Sequence, residues 1–324
     1  MEGPTRERRT SRRLLVIVAI SATTLMSAGV LQAHATAPGE NGRIAFRRYF
    51  NDEQTLGAIF TIRPDGTGLV QLTHRGKTLL DTEPDWSPDG RWIVFNRVKA
   101  GVYNRIYKMR SDGTHLTRLD PSCKNANCED IGPSWSPDGR HIAFLHYDYD
   151  TGTGSLSVMR PDGTHVREMT DRWGVGSWAP NGKRMAVGRE TDRGTAVFTI
   201  ALDGTHARRV TPWKLQAQVY DWSPDGKWIL LLSHGDTDRQ RNVYLVHPNG
   251  NDLHRVTNTF THGESNWGGL SFSPDGTLIA ASHRPGVGAA GNPDVWVMNL
   301  NGSGLRDVTN SAIYDSAPDW GARP

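Results

Sequence analysis

The chain has 324 residues, of which 36% are hydrophobic and 22% are charged. This balance supports a folded core and excludes a disordered, fibrous or polytopic membrane protein. Five arginines against two glutamates in residues 1–35 account for the whole net charge of +3. The rest of the chain is neutral and lacks the clustered basic residues that nucleic-acid binding needs.

Residues 1–35 are typical of an export signal. A basic stretch is followed by an apolar run over residues 14–31 and by Ala33-His34-Ala35, a small-x-small peptidase site. Polar residues interrupt the apolar run, which favours cleavage over an uncleaved membrane anchor, because an anchor needs about 20 strongly apolar residues. We therefore expect an exported protein, periplasmic or extracellular, that contacts the membrane only if the signal stays attached.

From residue 40 onward, a tight turn repeats six times, most often as Ser-Pro-Asp-Gly. In this motif serine accepts a backbone hydrogen bond, proline presets φ, and glycine adopts a positive φ. The copies end in Gly42, Gly90, Gly139, Gly182, Gly226 and Gly276. Each copy leads into an apolar strand, such as residues 91–95.

A second turn, Asp-Gly or Asn-Gly, follows 22 to 26 residues after each first turn. Its glycines are Gly66, Gly113, Gly163, Gly204, Gly250 and Gly302. Strand-like segments flank each of these turns, which is the signature of a hairpin. Four strands per unit, repeated six times at a period of 43 to 50 residues, predict an all-β protein with a six-bladed propeller.

The blocks Asp-Trp-Ser-Pro-Asp-Gly at residues 85–90 and 221–226 carry a family resemblance. They resemble the WD-repeat-like blades of TolB-like six-bladed β-propellers, and the resemblance covers residues 40–324 as one domain. TolB proper is a periplasmic envelope protein that docks partner proteins, so the resemblance implies a protein partner. TolB proper also carries an N-terminal α/β domain before its propeller, and we expect that domain to be missing here because the first blade follows the signal directly.

The end of the chain predicts how the ring closes. Residues 317–321, Ala-Pro-Asp-Trp-Gly, are a leftover copy of the strand that precedes each first turn, and the first blade lacks that strand. We therefore expect the C-terminal strand to complete blade one. Closure hides the sheet edges, and we expect a monomer.

The two cysteines, Cys123 and Cys128, lie in one polar loop. An exported protein meets an oxidising compartment, so we predict a disulfide between them. A metal site would need further ligands at the right spacing, and the sequence has none nearby.

The repeat assigns the turns and loops to opposite faces of the propeller. Both tight turns of each blade fall on one face, which we call the turn face, and the longer loops fall on the other, which we call the long-loop face. Binding residues concentrate on loops, so we expect function on the long-loop face.

The aromatic residues fall into two sets. Those at the repeat position should pack between blades: Trp86, Trp135, Trp178, Trp222, Phe272 and Trp320. Four others lie in long loops, namely Trp173, Trp213, Trp267 and Tyr314. They either cap the hydrophobic layers or anchor a protein or sugar partner.

A ring of polar side chains is expected near the axis on the long-loop face. Equivalent positions at the end of the second strand of each blade hold Arg48, Arg97, His146, Arg189, Ser233 and His283. These cations either pair with Asp85, Asp221 and Asp319 of the innermost strands, or form a collar for an anionic group such as an acidic peptide or sugar.

Catalytic signatures are weak. The acids and histidines at residues 146–150 and 262–264 are typical of solvated loops, and a calcium loop would need a bidentate glutamate that the first segment lacks. We predict a non-enzymatic binding platform for a protein or peptide, with no catalytic residue, metal or cofactor. The alternatives are a lyase, lactonase or other hydrolase with a metal in the axial channel, and a carbohydrate-binding propeller.

Overall fold

The structure is a computed structural model, and it describes residues 36–74, 79–99, 102–119, 123, 127–170, 174, 176–233, 241–257, 266–284 and 292–324. The chain divides into two units, Met1–Val30 and Leu31–Pro324, and every described residue belongs to the second. The export signal, Trp173 and residues 262–264 lie outside the described residues. The predictions made for them therefore stay predictions.

The described strands form six four-stranded blades, and one parallel bridge between Gly57 and Leu80 joins the sheets of the first two. In pairing order, blade one contains β24 (Asp315–Ala322), β1 (Asn41–Tyr49), β2 (Gly57–Ile62) and β3 (Val70–Gln71), and blade two contains β4 (Leu79–Trp86), β5 (Trp92–Lys99), β6 (Val102–Arg110) and β7 (Thr117–Leu119). Blade three contains β8 (Cys128–Trp135), β9 (Ile142–Asp148), β10 (Thr153–Met159) and β11 (Arg167–Thr170), and blade four contains β12 (Gly176–Trp178), β13 (Arg184–Thr191), β14 (Gly194–Ala201) and β15 (Arg208–Arg209). Blade five contains β16 (Gln218–Trp222), β17 (Ile229–Ser233), β18 (Asn242–Val246) and β19 (His254–Arg255), and blade six contains β20 (Asn266–Phe272), β21 (Leu278–Arg284), β22 (Asp294–Asn299) and β23 (Arg306–Asp307).

The C-terminal strand closes the ring as predicted. Strand β24 pairs antiparallel with β1, with Trp320 opposite Ile44 and Asp319 opposite Ala45. The innermost strands contact one another in the cyclic order β24, β4, β8, β12, β16, β20, and β20 contacts β24 again. The first and last strands in sequence therefore share one blade.

The four Ser-Pro-Asp-Gly turns have the geometry that their chemistry predicts. The first turn predicted at Gly42 is wrong: Gly42 lies inside β1, and the two inner strands of blade one, β24 and β1, come from opposite ends of the chain. In blade two, the Ser87 hydroxyl accepts the N–H of Trp92 at 2.9 Å and donates to the Asp89 carboxylate at 2.6 Å. Gly90 has a φ of 66°, and a Cβ there would lie 2.4 Å from the Ala322 carbonyl oxygen. This turn needs glycine both for its conformation and for its close approach to the C-terminal strand.

The core is divided among the six blade interfaces, and each interface contains one repeat aromatic. In the cluster between blades three and four, Trp178 packs with Leu156 and Val158; in the cluster between blades six and one, Trp320 packs with Val295. All six repeat aromatics are buried, which confirms the predicted inter-blade packing.

In four blades, the residue before the repeat aromatic bonds to the next blade. Its side chain accepts the backbone N–H of the aromatic residue there, in Asp319–Trp86, Asp85–Trp135 and Asp221–Phe272 at 2.7 Å each and in Ser271–Trp320 at 3.1 Å. These bonds tie neighbouring innermost strands together around the axis.

Cys123 and Cys128 form the predicted disulfide, with their Cα atoms 5.5 Å apart. A search of the described residues finds no helix with the length and apolar character needed to span a membrane.

Candidate functional site on the long-loop face

Three blades carry a basic side chain paired with a carboxylate near the axis. Arg48 pairs with Asp315 in blade one, Arg97 with Asp81 in blade two, and His146 with Asp130 in blade three. In each pair the two residues lie directly opposite each other on neighbouring antiparallel strands. The aspartate is on the innermost strand of the blade, and the basic residue is on the second strand.

The two arginine pairs are buried and bidentate. Arg48 donates to the two Asp315 oxygens at 2.7 and 2.6 Å, and Arg97 donates to those of Asp81 at 2.5 and 2.8 Å. Both guanidinium groups also lie over aromatic rings, including Tyr107 at 4.7 Å from Arg97. Bidentate pairing with ring stacking suits the planar guanidinium and would not suit lysine.

The carboxylate partners differ from those that the sequence predicts. The expected partners, Asp85, Asp221 and Asp319, instead accept amide hydrogens of the next blade. The cause is strand register: the basic residue lies near the end of the second strand, and its cross-strand neighbour is the residue five positions before the repeat aromatic. In blades one to three that neighbour is an aspartate.

Burial and pairing act in opposite directions on these groups. Burial raises the pKa of Asp315 and of Asp130, while hydrogen bonds from Arg48 and His146 oppose the rise. For Arg97, burial lowers the pKa, but hydrogen bonding and attraction from Asp81 outweigh burial, so the net pKa is raised. Arg97 therefore stays charged in the folded protein.

The remaining ring positions show no common chemistry. The side chain of Arg189 is exposed, the Ser233 hydroxyl donates to the Leu215 carbonyl, and His283 is buried against Trp267, with ring centroids 3.7 Å apart. The charges of Arg48 and Arg97 are balanced by aspartates. His146 is likewise paired with an aspartate, Asp130, and the predicted anion collar stays a prediction.

The aromatic residues predicted in the long loops differ in position and exposure. The loop prediction is wrong for Trp267, which lies inside strand β20 and pairs with His283 of β21. Trp267 is 4% exposed and belongs to the core cluster of blades five and six, and Trp213, in the short 3-10 helix Trp213–Leu215, packs half-buried on Phe198. These two tryptophans cap hydrophobic layers. Tyr314 is half-buried and makes an edge contact with Tyr49, with centroids 5.1 Å apart.

An apolar surface at blade one is the feature that sequence reasoning missed. Phe50 is 51% exposed and Ile313 is 43% exposed. The Tyr49 N–H donates to the Tyr314 carbonyl at 2.9 Å, so a backbone hydrogen bond joins the two chain segments that carry these side chains. We call Arg47, Tyr49, Phe50, Ile313 and Tyr314 the blade-one patch. The aromatic pair at residues 49–50, just past a predicted strand, was the available signal.

Arg47 gives this patch a cationic edge. Its guanidinium lies 4.3 Å from the Tyr49 ring centroid and donates to the Ser316 hydroxyl at 2.7 Å and to the Thr82 hydroxyl at 2.5 Å. Arg47 thus links the innermost strands of blades one and two beside the axis. Its side chain is only half-buried, so part of it faces solvent.

Within the described part of the chain, one group of three side chains has potential ligand atoms close enough for a metal ion. It consists of Cys123, Asp130 and His146, whose atoms lie within 4.8 Å of one another. Cys123 is bound in the disulfide, which leaves two ligands. A catalytic metal needs about three protein ligands, so this group does not fit one as it stands.

Comparison with known proteins agrees with this architecture. The family described as TolB beta propeller domain matches residues 122–287, just over half of the chain. The chain belongs to this TolB propeller family. "Uncharacterized protein Atu1656" of Agrobacterium fabrum (strain C58 / ATCC 33970) is 32% identical over 261 residues, which cover 80% of this chain and 67% of that protein.

Two further kinds of relative carry the TolB name. "Tol-Pal system protein TolB" of Anaeromyxobacter dehalogenans (strain 2CP-C) is 33% identical over 100 residues, and the match spans 31% of this chain and only 20% of that TolB. The crystal structure of TolB from Acinetobacter baumannii has a TM-score of 0.71 at 19% identity, covering 89% of this chain and 68% of that one. The structure of a putative TolB from Agrobacterium tumefaciens has a TM-score of 0.62 at 16% identity, covering 87% of this chain and 99% of that one.

The structural likenesses show the fold, a TolB-like propeller. Family membership supports, in general terms, a propeller scaffold for protein interactions.

Proposed function

We propose that this protein is an exported, non-enzymatic binding propeller whose partner is a protein or peptide that docks on the long-loop face at the blade-one patch. The single observation that carries the proposal is that two exposed apolar side chains, Phe50 and Ile313, lie on two segments joined by the Tyr49–Tyr314 backbone hydrogen bond. The half-buried Arg47 and Tyr314 lie on the same two segments. Tyrosine, arginine and large apolar side chains around a central contact are what protein interfaces favour.

The composition of the patch favours a protein over a sugar or a metal-bound substrate. The Phe50 ring packs against the buried Phe60 ring, with centroids 6.2 Å apart, while half of the Phe50 side chain stays exposed. A supported aromatic loses little conformational entropy on binding. Membership of the TolB propeller family supports a protein partner for this chain.

Export is supported by two features. The signal-like segment at residues 1–35 ends in a small-x-small peptidase site, and the disulfide between Cys123 and Cys128 suits an oxidising compartment. The proposed location is the periplasm or the extracellular medium.

Site-specific photocrosslinking tests the docking surface. A benzophenone side chain replaces Phe50 in one variant and the exposed Val166, beside a turn of blade three, in the control. Crosslinking in the native host should give a discrete adduct at position 50 that is lost when Ile313→Asp is added, and none at position 166. Equal adducts at both positions, or no adduct at position 50, would contradict the proposal.

A metal measurement separates the enzyme alternative. Purified exported protein should contain no stoichiometric calcium, manganese or zinc by elemental analysis. A bound metal at one equivalent would favour the enzyme with an axial metal instead.

A further inference from the structure

Thr36 lies at the axis of the propeller, at the end that faces the tight turns. The residue is 5% exposed, and its hydroxyl donates to the Asp221 carboxylate at 2.6 Å. Its backbone nitrogen lies 3.3 Å from the other oxygen of the same carboxylate. Both polar groups of Thr36 therefore face Asp221.

The segment after Thr36 holds it in this place. The Gly39 N–H donates to the Pro274 carbonyl at 3.1 Å, and the Asn41 amide donates to the Asp275 carboxylate at 2.8 Å. Both acceptors belong to the first turn of blade six. The chain between Thr36 and β1 is therefore held at Gly39 and at Asn41, the first residue of β1.

The Thr36 nitrogen lies beside a buried carboxylate, and other blades carry buried carboxylates at the same strand position. Asp221 is fully buried, and Asp85 and Asp319, at the same strand position in other blades, are 1% and 3% exposed. Ser271 links Thr36 to one of them, because its hydroxyl lies 3.4 Å from the Thr36 hydroxyl and donates to Asp319 at 3.2 Å. A low-dielectric site with carboxylates favours a cation over a neutral group.

The sequence offers a source for that cation. Residues 33–35 form the predicted peptidase site, so cleavage after Ala35 makes Thr36 the first residue of the mature chain. We infer that the axial carboxylates form a binding site for the protein's own new N-terminus, and that the α-ammonium of Thr36 is the natural partner of Asp221. This inference rests on the proposed export.

Cleavage changes the chemistry of one nitrogen. Hydrolysis adds one water across the Ala35–Thr36 amide: the Ala35 carbonyl carbon gains an oxygen and becomes a carboxylate, and the Thr36 nitrogen becomes an amine. An α-amino group has a pKa near 8 and is protonated at neutral pH. A neutral group with one hydrogen becomes a cation with three hydrogens beside Asp221, so the mature propeller is held more firmly than its precursor.

The test compares three forms of the chain that differ only at the N-terminus: residues 36–324 with a free amine, the same chain acetylated at Thr36, and residues 35–324. All the described strands lie within the shortest form. In urea, the free-amine form should have an unfolding equilibrium constant at least tenfold smaller than either of the others. Asp221→Asn, made in all three forms, should abolish the difference. Equal stability of the three unsubstituted forms, or a difference that survives Asp221→Asn, would overturn the inference.

A second measurement needs no substitution at Asp221. A broad-specificity aminopeptidase should leave Thr36 in place on the folded free-amine form and remove it once the protein is unfolded. Rapid release of threonine from the folded protein would overturn the inference. N-terminal sequencing of exported protein tests the cleavage separately, so a failure of export and a failure of pairing can be told apart.

Discussion

The two faces of this propeller are built in different ways. On the turn face, similar turns recur: four blades have a serine, an aspartate and a positive-φ glycine in the first turn, and all six have an Asp-Gly-Thr or similar sequence in the second. On the long-loop face, equivalent positions hold a buried ion pair in blade two, an exposed Arg189 in blade four and a histidine stacked on tryptophan in blade six. Repetition on the turn face supports folding, and departure from it on the long-loop face leaves room for recognition.

Loss of ring closure should have the largest effect, because the structure of both faces depends on it. Deleting residues 315–324 removes β24, including Trp320, which is 1% exposed. We expect the loss of cooperative unfolding, since blade one loses its innermost strand and the neighbouring interfaces open. Circular dichroism melting and size-exclusion chromatography measure this. Deleting only the exposed Pro324 is the control, and a ten-residue truncation with a wild-type melt would contradict the closed ring.

The buried Arg97–Asp81 pair of blade two tests whether residues of the long-loop face also stabilise the fold. Arg97→Ala leaves Asp81, 2% exposed, buried without its cation, and breaking such a pair costs about 3–5 kcal/mol of unfolding free energy. The exposed Arg189→Ala should change the unfolding free energy by less than about 0.5 kcal/mol.

Urea denaturation of both variants provides the comparison. The double substitution Arg97→Met with Asp81→Leu should restore most of the loss, because no charge is then left buried. If Arg97→Ala and Arg189→Ala had equal effects, the pair would not have the structural role assigned to it.

The second turns give the turn face a defined response to acid. In four blades, an Asp-Gly-Thr turn places the threonine hydroxyl and amide on the aspartate, and these hydrogen bonds lower the pKa of Asp65, Asp112, Asp162 and Asp203. A carboxyl whose pKa is lower in the folded state stabilises that state above its unfolded pKa. This contribution is lost as pH falls through the folded pKa.

NMR titration of the carboxyl carbons measures the effect directly. Thr114→Val should raise the pKa of Asp112 toward its ordinary value and leave that of Asp162 unchanged. Identical titration of Asp112 in both proteins would show that the threonine hydroxyl does not hold the carboxylate.

Much of the fold follows from the sequence because its signals are local. The turn residues, the spacing of their glycines and the leftover strand copy at residues 317–321 predict the blades and the closure, and the structure confirms both. Burial of the repeat tryptophans follows from their apolar size and regular position.

The ion-pair partners could not be predicted because they depend on strand register. An irregularity between Thr82 and Asp85 shifts the pairing by one residue, so Arg97 faces Asp81 and not Thr82. A one-residue shift exchanges the two faces of a strand. The blade-one patch was missed for a related reason, because it joins loops that lie more than 250 residues apart in the sequence.

The central claim is that recognition lies on the long-loop face at blade one, and a matched pair of double variants tests it most directly. Phe50→Ser with Ile313→Ser removes the apolar side chains of the patch, while Val166→Ser with Leu305→Ser removes a similar exposed apolar surface beside the second turns of blades three and six. Titration against the crosslinked partner, once purified, should show binding at least tenfold weaker for the first variant and unchanged for the second. Equal binding by the two variants, or weaker binding by the second alone, would contradict the account.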